Sequence, residues 1–479
     1  MYKRIVAHNG DFFSMHLHRE TKPCGFHNRP NCNKLLHHTV RKIRSSSPEY
    51  STVSNMSSVK LSSRDDVKFI AEALDIGTDE VSQVAVCLSS ICSNVELFSS
   101  YFEQENPKTA SSNTSTLSSS RKEVPSFLHR SLGEVICDFQ KQRDPPLTER
   151  QKRVMNWHIS NLEYANASTV DSLSLQHWDQ DDLYAYKGPH CLLRQGFGSI
   201  ANSLANQVLF AGAKIVFGAK VSKIERILKA ERILKADDNS HKIVVTSEAQ
   251  GRGELENKQN NYRCDFCVVT LPLGILKQEH ESLFSPRLNV EKAKAIERLG
   301  FGILNKVLLV FDSCFWDMSA QSIGYASNKT GDYYMFVNMF RHTGHFALLS
   351  ILSGDLAVRV ESMPDQEVVD DSMSILRRMF RYRNIPKQPI YSHVTRWKSD
   401  KFARGSYSYL KPESSPQDMD ALAAPIDDCI FFAGEATNRK HPASAHGAVL
   451  SGRRDARRIA NIMARTYGCT LPYQEIDNM

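Results

Sequence analysis

An apolar strand that runs directly into a glycine-rich helix start is the most constraining feature of this sequence. The segment CIFFAGEATNRKHPASAHGAVLSG occupies residues 429–452. Its apolar beginning predicts a buried strand, and the small residues from Ala443 to Gly447 predict a helix start that a ligand can approach closely. The N–H groups of a helix N-terminus favour an anion, and Glu435 can accept a hydrogen bond from a ribose or ribityl hydroxyl. Taken alone, the pattern is a weak signal for a nucleotide site.

Other periodic segments place this candidate site in an α/β or α+β fold. The sequence predicts short strands in four apolar runs, at 242–246, 266–270, 306–311 and 429–433. It predicts helices at 287–298, 365–381 and 447–465. A further helix is predicted after the capping box of Thr148 and Gln151, because Met155, Ile159 and Leu162 recur on one face. This alternation is typical of an enzyme domain.

The length of 479 residues is enough for two or three domains. Residues 1–123 form a region of low periodicity, with a predicted helical stretch at 67–103 and a Ser/Thr-rich linker at 107–123. The sequence predicts a globular domain over residues 124–467 and a C-terminal tail over residues 468–479. The hexapeptide ERILKA occurs twice in tandem at 225–236, which we interpret as a small duplication that lengthens a surface hairpin.

Charge, cysteines and hydropathy predict a soluble intracellular protein without a membrane partner. The net charge of +7 permits a nuclear protein and leaves direct nucleic-acid binding open. The 11 cysteines are odd in number and lie mostly in apolar runs, which argues against a disulfide framework. The first residues lack the apolar core of a signal peptide, and no apolar run approaches the ~20 residues of a membrane span.

Two groups of cysteines and histidines raise the question of a metal, and we predict no metal site. The group near the N-terminus comprises His16, His18, Cys24, His27, Cys32, His37 and His38. Only Cys24 and His27 have plausible zinc spacing, and a histidine-rich tail explains the group more simply. Cys264 and Cys267 enter an apolar strand and have no second pair.

Five sequence blocks resemble the FAD-dependent amine oxidases and span about residues 131–467. FAGEAT, HP and HGAVLSG, within 429–452, resemble the C-terminal flavin-binding signature of that family. Further blocks are VVTLPLGILK at 268–277, LGFGILNKVLLVFDSCFWD at 299–317 and TRWKSDKFARGSYSY at 395–409. The block WHISNLEYANA…LSLQHWDQDD at 157–182 resembles the branch of flavin-dependent lysine-specific histone demethylases.

The resemblance implies an amine oxidase fold over 124–467, with FAD as the cofactor. In this fold a Rossmann-like FAD-binding part interlocks with a mixed-sheet substrate part. The resemblance assigns the substrate part to about 131–215 and 287–400, and the FAD-binding part to about 216–286 and 401–467.

The resemblance gives Lys306 the central catalytic role, in which it reaches the flavin through a water and assists reoxidation by oxygen. Apolar flanks at Leu304, Val307 and Leu308 would desolvate this amine and lower its pKa. The resemblance also implies cofactor contacts at Val221, Thr270, Leu271, Pro272, Trp397, Gly434, Glu435, Ser444 and Ala445.

Substrate contacts are implied at two aromatic residues and at an acidic run. Tyr407 matches a tyrosine that walls the amine pocket; Phe402 is assigned beside it, although core packing is equally open for Phe402. The acidic run of Asp179, Asp181 and Asp182 matches one that faces a basic histone tail, and an ordinary solvated acidic loop is the alternative. The sequence departs from the branch at Val337, where tryptophan is usual, and at His441, where an aromatic residue is usual.

Two features of complete family members are missing. Residues 1–130 contain only the isolated glycines Gly10, Gly25 and Gly77, so the GxGxxG that holds the ADP half of FAD is absent there. We therefore expect either a truncated or spliced product, or weak or absent FAD binding. The stretch from Ser131 to Asn166 is too short to contain a long helical tower. A corepressor that binds such a tower would therefore lack its binding surface.

The resemblance implies oxidative demethylation of mono- or dimethyl-lysine on histone tails, with release of formaldehyde and hydrogen peroxide. It also implies a nuclear protein that contacts a histone tail and, as one alternative, a chromatin corepressor complex. Two other functions stay open: a polyamine oxidase, and a truncated non-catalytic isoform that binds chromatin. The basic stretch GRRDARR at 452–458 resembles a nuclear-import signal, but we interpret it as the basic face of a helix.

Overall fold

A computed structural model describes residues 129–142, 144–186, 193, 195–227, 241–249 and 259–468. The predicted helical stretch at 67–103, the linker at 107–123 and the N-terminal histidine and cysteine group lie outside these residues. None of the helices in this part of the chain is long and apolar enough to cross a membrane.

Ten α-helices and thirteen strands are described. The helices are α1 Leu132–Gln142, α2 Glu149–Asn166, α3 Gly198–Phe210, α4 Leu273–Leu283, α5 Val290–Arg298, α6 Phe340–Thr343, α7 Gly354–Val360, α8 Asp365–Met379, α9 Pro416–Ala423 and α10 Ala445–Tyr467. The strands are β1 Ala219–Arg226, β2 Ile243–Ala249, β3 Gln259–Cys264, β4 Cys267–Val269, β5 Phe284–Ser285, β6 Gly300–Phe301, β7 Asn305–Val310, β8 Ser322–Gly324, β9 Met335–Asn338, β10 Ala347–Leu352, β11 Tyr391–Val394, β12 Ser408–Tyr409 and β13 Ile430–Phe432.

The capping box predicted for α2 is present. The backbone N–H of Gln151 donates to Thr148 Oγ1 over 3.2 Å, and the N–H of Thr148 donates to Gln151 Oε1 over 2.9 Å. The predicted apolar face is buried and packs with α1 and Trp178 in one core. Only residues 143–148 separate α1 from α2.

A five-stranded antiparallel sheet carries the largest core. Its strand order is β11-β7-β10-β9-β8, and α7 and α8 pack against one face. The strand predicted at 306–311 is β7, and the helix predicted at 365–381 is α8. Along β7 every second residue from Asn305 is fully buried, because successive side chains point to opposite faces.

A four-stranded sheet of order β3-β2-β1-β5 lies in a second core with a short parallel pair, β4 and β13. The antiparallel pairing of β1 with β2 agrees with the predicted hairpin, while most of the ERILKA repeat, from residue 228 onward, lies outside the described residues. The preceding helix, α3, is exposed or half-exposed at every residue, and Phe210 at its end is 96% exposed.

The basic stretch at 452–458 lies inside α10, as predicted, but only part of it is a solvated face. Arg454 donates to the carbonyl oxygens of Thr437 and Phe432 over 2.7 and 2.6 Å. Arg454 and Arg458 both pair with Asp455, which is 0% exposed. These two arginines therefore stabilise the fold, and Arg453 and Arg457 remain exposed.

Two lysines bind the carbonyl ends of helices. Lys292 is 2% exposed, and its Nζ donates to the carbonyl oxygens of Ala421, Leu422 and Ala424 over 2.7–2.8 Å. These are the last acceptors of α9, which otherwise have no intrahelical donor. Lys277 Nζ binds the carbonyl oxygens of Ile296 and Glu297 at the end of α5 in the same way.

Replacement of Lys292 by methionine should lower the free energy of unfolding by roughly 2–4 kcal/mol, because three carbonyl acceptors, of which that of Leu422 is buried, lose their donor. Denaturation in urea measures this difference. The matched control is Lys294→Met on the same helix, where the lysine is exposed, and its effect should stay within about 0.5 kcal/mol. Equal effects of the two changes would contradict the assignment of Lys292 as a cap.

Candidate active site

The start of β7 and the segment 395–407 run against each other and bring three predicted site residues together. The N–H of Lys306 donates to Thr395 Oγ1 over 2.8 Å, and the N–H of Thr395 donates to the Lys306 carbonyl over 3.0 Å. Further along, the N–H of Gly302 donates to the Tyr407 carbonyl over 2.7 Å. The Trp397 N–H donates to the side-chain oxygen of Asn305, the residue before Lys306, over 3.1 Å. Lys306, Trp397 and Tyr407 therefore belong to one hydrogen-bonded unit.

Lys306 is half-buried, and burial lowers the pKa of its ammonium. From the sequence we expect Leu304, Val307 and Leu308 to desolvate this amine. That expectation is wrong for Val307, which points to the opposite face of the sheet and belongs to the core against α8. Leu304 instead packs in a small cluster with Tyr407.

This cluster forms a wall of apolar and aromatic side chains. Its members are Ala167, Leu304 and Ile351, with Tyr164, Met335, Val337 and Tyr407 partly buried against them. The Tyr407 hydroxyl donates to the Tyr164 carbonyl over 2.7 Å. Burial, together with the neighbouring Tyr164 and Glu435, raises the pKa of Tyr407, so its hydroxyl stays protonated.

Sequence reasoning missed four members of this wall, Ala167, Tyr164, Ile351 and Met335. Tyr164 stands inside the block that resembles the demethylase branch, and this position was a usable signal. Ile351 and Met335 come from strands β10 and β9, and only the pairing of Ile351 with Lys306 brings them to the site. No local pattern marks them.

Glu435 connects this unit to the start of α10. Its Oε2 accepts from the Ser408 hydroxyl over 2.6 Å, from the Ser408 N–H over 3.3 Å and from the Ala443 N–H over 2.9 Å. Ser408 follows Tyr407, and Ala443 precedes the predicted contact Ser444. One carboxylate therefore fixes the aromatic wall relative to the helix start.

The carboxyl ends of the parallel strands β4 and β13 form the floor of the site. Thr270, Leu271 and Pro272 follow β4, while Gly434 and Glu435 follow β13; all five line one small cavity of about 30 Å³. This volume is close to the share of one water molecule, so a larger ligand would lie on the open side of these residues. Val221 on β1 packs against the same core as Leu271.

The start of α10 is a serine-capped helix N-terminus, and helix N-termini favour an anion. Ser444 is the N-cap, and its Oγ accepts from the Gly447 N–H over 3.1 Å. A side chain at Gly447 would lie 1.8 Å from the His441 carbonyl oxygen, so only glycine fits there. Ala445 is the first helical residue, and its neighbours are small.

The acidic run lies beside this helix start. Gln180 Nε2 donates to the Arg439 carbonyl over 2.7 Å, which joins the run to the loop before α10. Asp179, Asp181 and Asp182 are all half-buried, so the run is not a fully solvated loop. Burial raises the pKa of Asp181 to about 6.

Two further predicted positions have distinct surroundings. The His441 ring stacks on Tyr186, with ring centroids 5.1 Å apart, and contacts His446 at 4.9 Å. Phe402 is half-buried, and Lys401 Nζ lies 5.0 Å from the centroid of its ring.

Over residues 96–460 the sequence matches the family of flavin containing amine oxidoreductases. The chain belongs to this family. Membership confirms the predicted amine oxidase fold, the assignment as an oxidoreductase and FAD as the cofactor. The structure also resembles cyclohexylamine oxidase from Brevibacterium oxydans, with a TM-score of 0.51 and 18% identity, over 71% of this chain and 69% of that one. At this identity the likeness concerns the fold alone.

Curated relatives confirm the resemblance to the demethylase branch. The chain is 35% identical over 347 residues to lysine-specific histone demethylase 1 homolog 1 of rice, which covers 71% of this chain and 38% of that protein. It is 37% identical over 344 residues to possible lysine-specific histone demethylase 1 of Drosophila melanogaster, over 66% and 36% of the two chains. The chain spans about a third of the length of these relatives.

The described residues fit the flavin half of FAD. The open side of Thr270–Pro272 and Gly434–Glu435 lies outside the carboxyl ends of parallel strands, where α/β folds bind such ligands. Gly434 has a φ of 136°, a conformation that favours glycine, and a Cβ there would meet no atom within 4 Å. The carboxylate of Glu435 and the start of α10 complete this cradle.

A buried carboxyl group lies directly before Tyr164. Glu163 is 4% exposed, and burial raises its pKa to about 8. The unfolded carboxyl loses its proton near pH 4.5, so between this pH and about 8 the folded chain holds a proton that the unfolded chain has lost. Glu163 therefore makes the fold less stable as the pH rises through this window.

Glu163→Gln removes this titration and should raise the stability relative to the native chain, by an amount that grows from pH 5 to pH 8. The slope should approach about 1 kcal/mol per pH unit. Urea denaturation at several pH values measures it. The control is Glu149→Gln, an exposed position on the same helix, where a pH-independent difference is expected. A pH-independent difference for Glu163→Gln as well would contradict the assignment of a neutral buried carboxyl.

Proposed function

We propose that this protein is an FAD-dependent oxidase of the methylated lysine amine, acting on mono- and dimethyl-lysine of histone tails in the nucleus. The observation that carries the proposal is the hydrogen-bonded unit of Lys306, Trp397 and Tyr407, joined through Ser408 and Glu435 to the start of α10. The names of the relatives in rice and Drosophila support the substrate class.

The chemistry requires a cofactor that the fold is built to hold. When bound, FAD would supply a two-electron oxidation of the N-methyl amine to an imine, which water would hydrolyse to formaldehyde and the amine with one methyl group fewer, and oxygen, reduced to hydrogen peroxide, would be the final oxidant. Trimethyl-lysine has no nitrogen lone pair from which to form the imine, so it is excluded as a substrate.

The chain's own residues position the amine and the cofactor. Tyr407, with its hydroxyl held by Tyr164, presents a fixed aromatic face to the substrate, and aromatic faces attract methylated ammonium groups. Lys306, with its lowered pKa, holds a water and supplies or accepts a proton during reoxidation. Thr270–Pro272, Trp397, Val221, Gly434 and Glu435 contact the cofactor, and Ser444 and Ala445 face its pyrophosphate.

The acidic run supports a basic peptide as substrate. Asp179, Asp181 and Asp182 lie beside the helix start, and their charge would attract the lysines and arginines of a histone tail. Phe402 would add to the pocket wall. Val337 stands where the branch usually has the bulkier tryptophan, and the smaller side chain leaves more space in the pocket beside Leu304. A chromatin corepressor is a partner consistent with this function, through a surface other than a tower.

We assign the substrate part to about 131–215 and 287–400 and the FAD-binding part to about 216–286 and 401–467. The five-stranded sheet belongs to the first part, and the pair of β4 and β13 with α10 belongs to the second.

The first test is the visible spectrum of the purified chain with and without added FAD, followed by peroxide release. Dimethyl-lysine histone peptides should yield peroxide and formaldehyde, and trimethyl-lysine peptides should yield neither. Turnover of spermine but not of peptides would replace the proposal by a polyamine oxidase. A chain that stays colourless with FAD would replace it by a non-catalytic chromatin-binding role.

Lys306→Met should leave FAD binding within about twofold and reduce peroxide release at least about 100-fold, because the amine that handles the proton is lost. Rapid mixing of the reduced protein with oxygen measures the affected step directly. The control Lys294→Met should retain full activity, since that lysine is exposed on α5. Unchanged reoxidation in Lys306→Met would remove Lys306 from the mechanism.

A further inference from the structure

The first residue of β7 is fully buried and uses its whole hydrogen-bonding capacity. Asn305 is 0% exposed. Its Nδ2 donates to the Ala357 carbonyl over 3.1 Å and to Glu361 Oε1 over 2.7 Å. Its Oδ1 accepts from the Thr395 hydroxyl over 3.2 Å and from the Trp397 N–H over 3.1 Å. Since an asparagine side chain offers two donors and two acceptor positions, any other residue would leave a buried group unpaired.

Glu361, directly after α7, holds the other side of this arrangement. Its Oε1 also accepts from the Lys398 N–H over 3.0 Å, and its Oε2 accepts from the N–H and the hydroxyl of Ser399 over 2.9 and 2.7 Å. Burial alone would raise the pKa of Glu361, but the hydrogen bonds from Asn305, Ser399 and the Lys398 backbone lower it overall. The side chain is therefore an ionised acceptor that faces only donors.

The same bonds reach both proposed active-site residues. Thr395 Oγ1 accepts from the Lys306 N–H over 2.8 Å and donates to Asn305 Oδ1. The Trp397 N–H donates to that same oxygen, and the Trp397 carbonyl accepts from the Gly405 N–H over 2.9 Å. Glu361 is thus linked to the Trp397 N–H through Asn305, and to the Lys306 N–H through Asn305 and Thr395.

We propose that Glu361 and Asn305 are positioning residues that fix Lys306 and Trp397 relative to each other. This inference rests on the proposed function, because it assigns a purpose to that site. Neither residue contacts the substrate; Glu361 acts through Asn305 and through the backbone of Lys398 and Ser399. The half-buried carboxylate of Glu361 is held by neutral donors, so its loss releases the segment that carries Trp397 and admits water to Lys306.

The test is the titration of Lys306 in the full chain, without added flavin or substrate. Competitive labelling with trace acetic anhydride, followed by mass spectrometry of the Lys306 peptide, gives the pH midpoint of its reactivity, with the exposed Lys294 as internal reference. In Glu361→Gln the amide offers one acceptor and one donor group, so two of the four donors lose their partner.

In Glu361→Gln we expect the pH midpoint of Lys306 reactivity to rise by about one unit. At pH values below both midpoints, the neutral fraction of Lys306 then falls about tenfold. Admission of water moves the midpoint in this direction, since burial is what lowers the pKa of Lys306. Simple loss of a nearby negative charge would move it the opposite way. An unchanged or lowered midpoint therefore overturns the proposal.

Asp365→Asn is the matched control. Asp365 pairs with Arg396, between Thr395 and Trp397 on the same segment, but its carboxylate takes no part in the bonds of Asn305. In Asp365→Asn the pH midpoint of Lys306 reactivity should equal that of the native chain. An equal rise in Asp365→Asn would assign the effect to general loosening of the segment and reject a specific role of Glu361.

Thr395→Val is the second variant, for use if Glu361→Gln does not fold as judged by circular dichroism. Valine keeps the shape of threonine and removes only the hydroxyl that links Lys306 to Asn305, so the same rise is expected. No rise in this variant also overturns the proposal. Because the titration needs no turnover, a chain that fails to oxidise amines would refute the proposed function and leave this result standing.

Discussion

The candidate active site depends on one carboxylate, that of Glu435. Its Oε2 accepts three hydrogen bonds from two segments, 408 and 443, that are far apart in sequence. Hydrogen bonds to an ionised carboxylate are stronger than neutral ones, contributing about 1.5–3 kcal/mol each, and they fix direction as well as distance. Without them the aromatic wall at Tyr407 and the start of α10 would be independent surfaces. These hydrogen bonds fix the substrate side of the site relative to the cofactor side.

Three lysines with lowered pKa values show how burial alone fails to identify a reactive amine. Burial lowers the pKa of Lys292 to about 7 and that of Lys277 to about 8. Both ammonium groups are held by carbonyl oxygens at the ends of helices, so their surroundings serve the fold. Lys306 lies instead on a strand that pairs with a segment of candidate site residues. Position within the fold, more than the pKa, supports a chemical role.

The sequence predicts those parts of the fold whose signal is local. The capping box of α2 and the apolar runs of β7 and β13 involve neighbouring residues only, and each was found close to its true bounds. The sequence-based expectation that Val307 desolvates Lys306 is wrong, because adjacent residues on a strand point to opposite faces of the sheet. Local patterns do not mark Asn305 and Glu361, since their partners lie more than 30 positions away and polar residues at such positions usually belong to the surface. The blocks shared with the amine oxidases supplied the candidate site where local patterns could not.

The hairpin of β1 and β2 has a consequence for how this chain tolerates change in length. Its register is fixed by pairs from Ala219–Ala249 to Arg226–Ile243, so residues inserted beyond Arg226 do not displace any pair. The second ERILKA copy falls in the connection from residue 227 to 242, which would have ten residues without it. For a flexible loop in general, an increase from ten to sixteen residues costs only about 0.4 kcal/mol of closure entropy. A duplication at this place is therefore nearly neutral to selection, whereas the same six residues inserted near Asn305 would separate the strand from its partners.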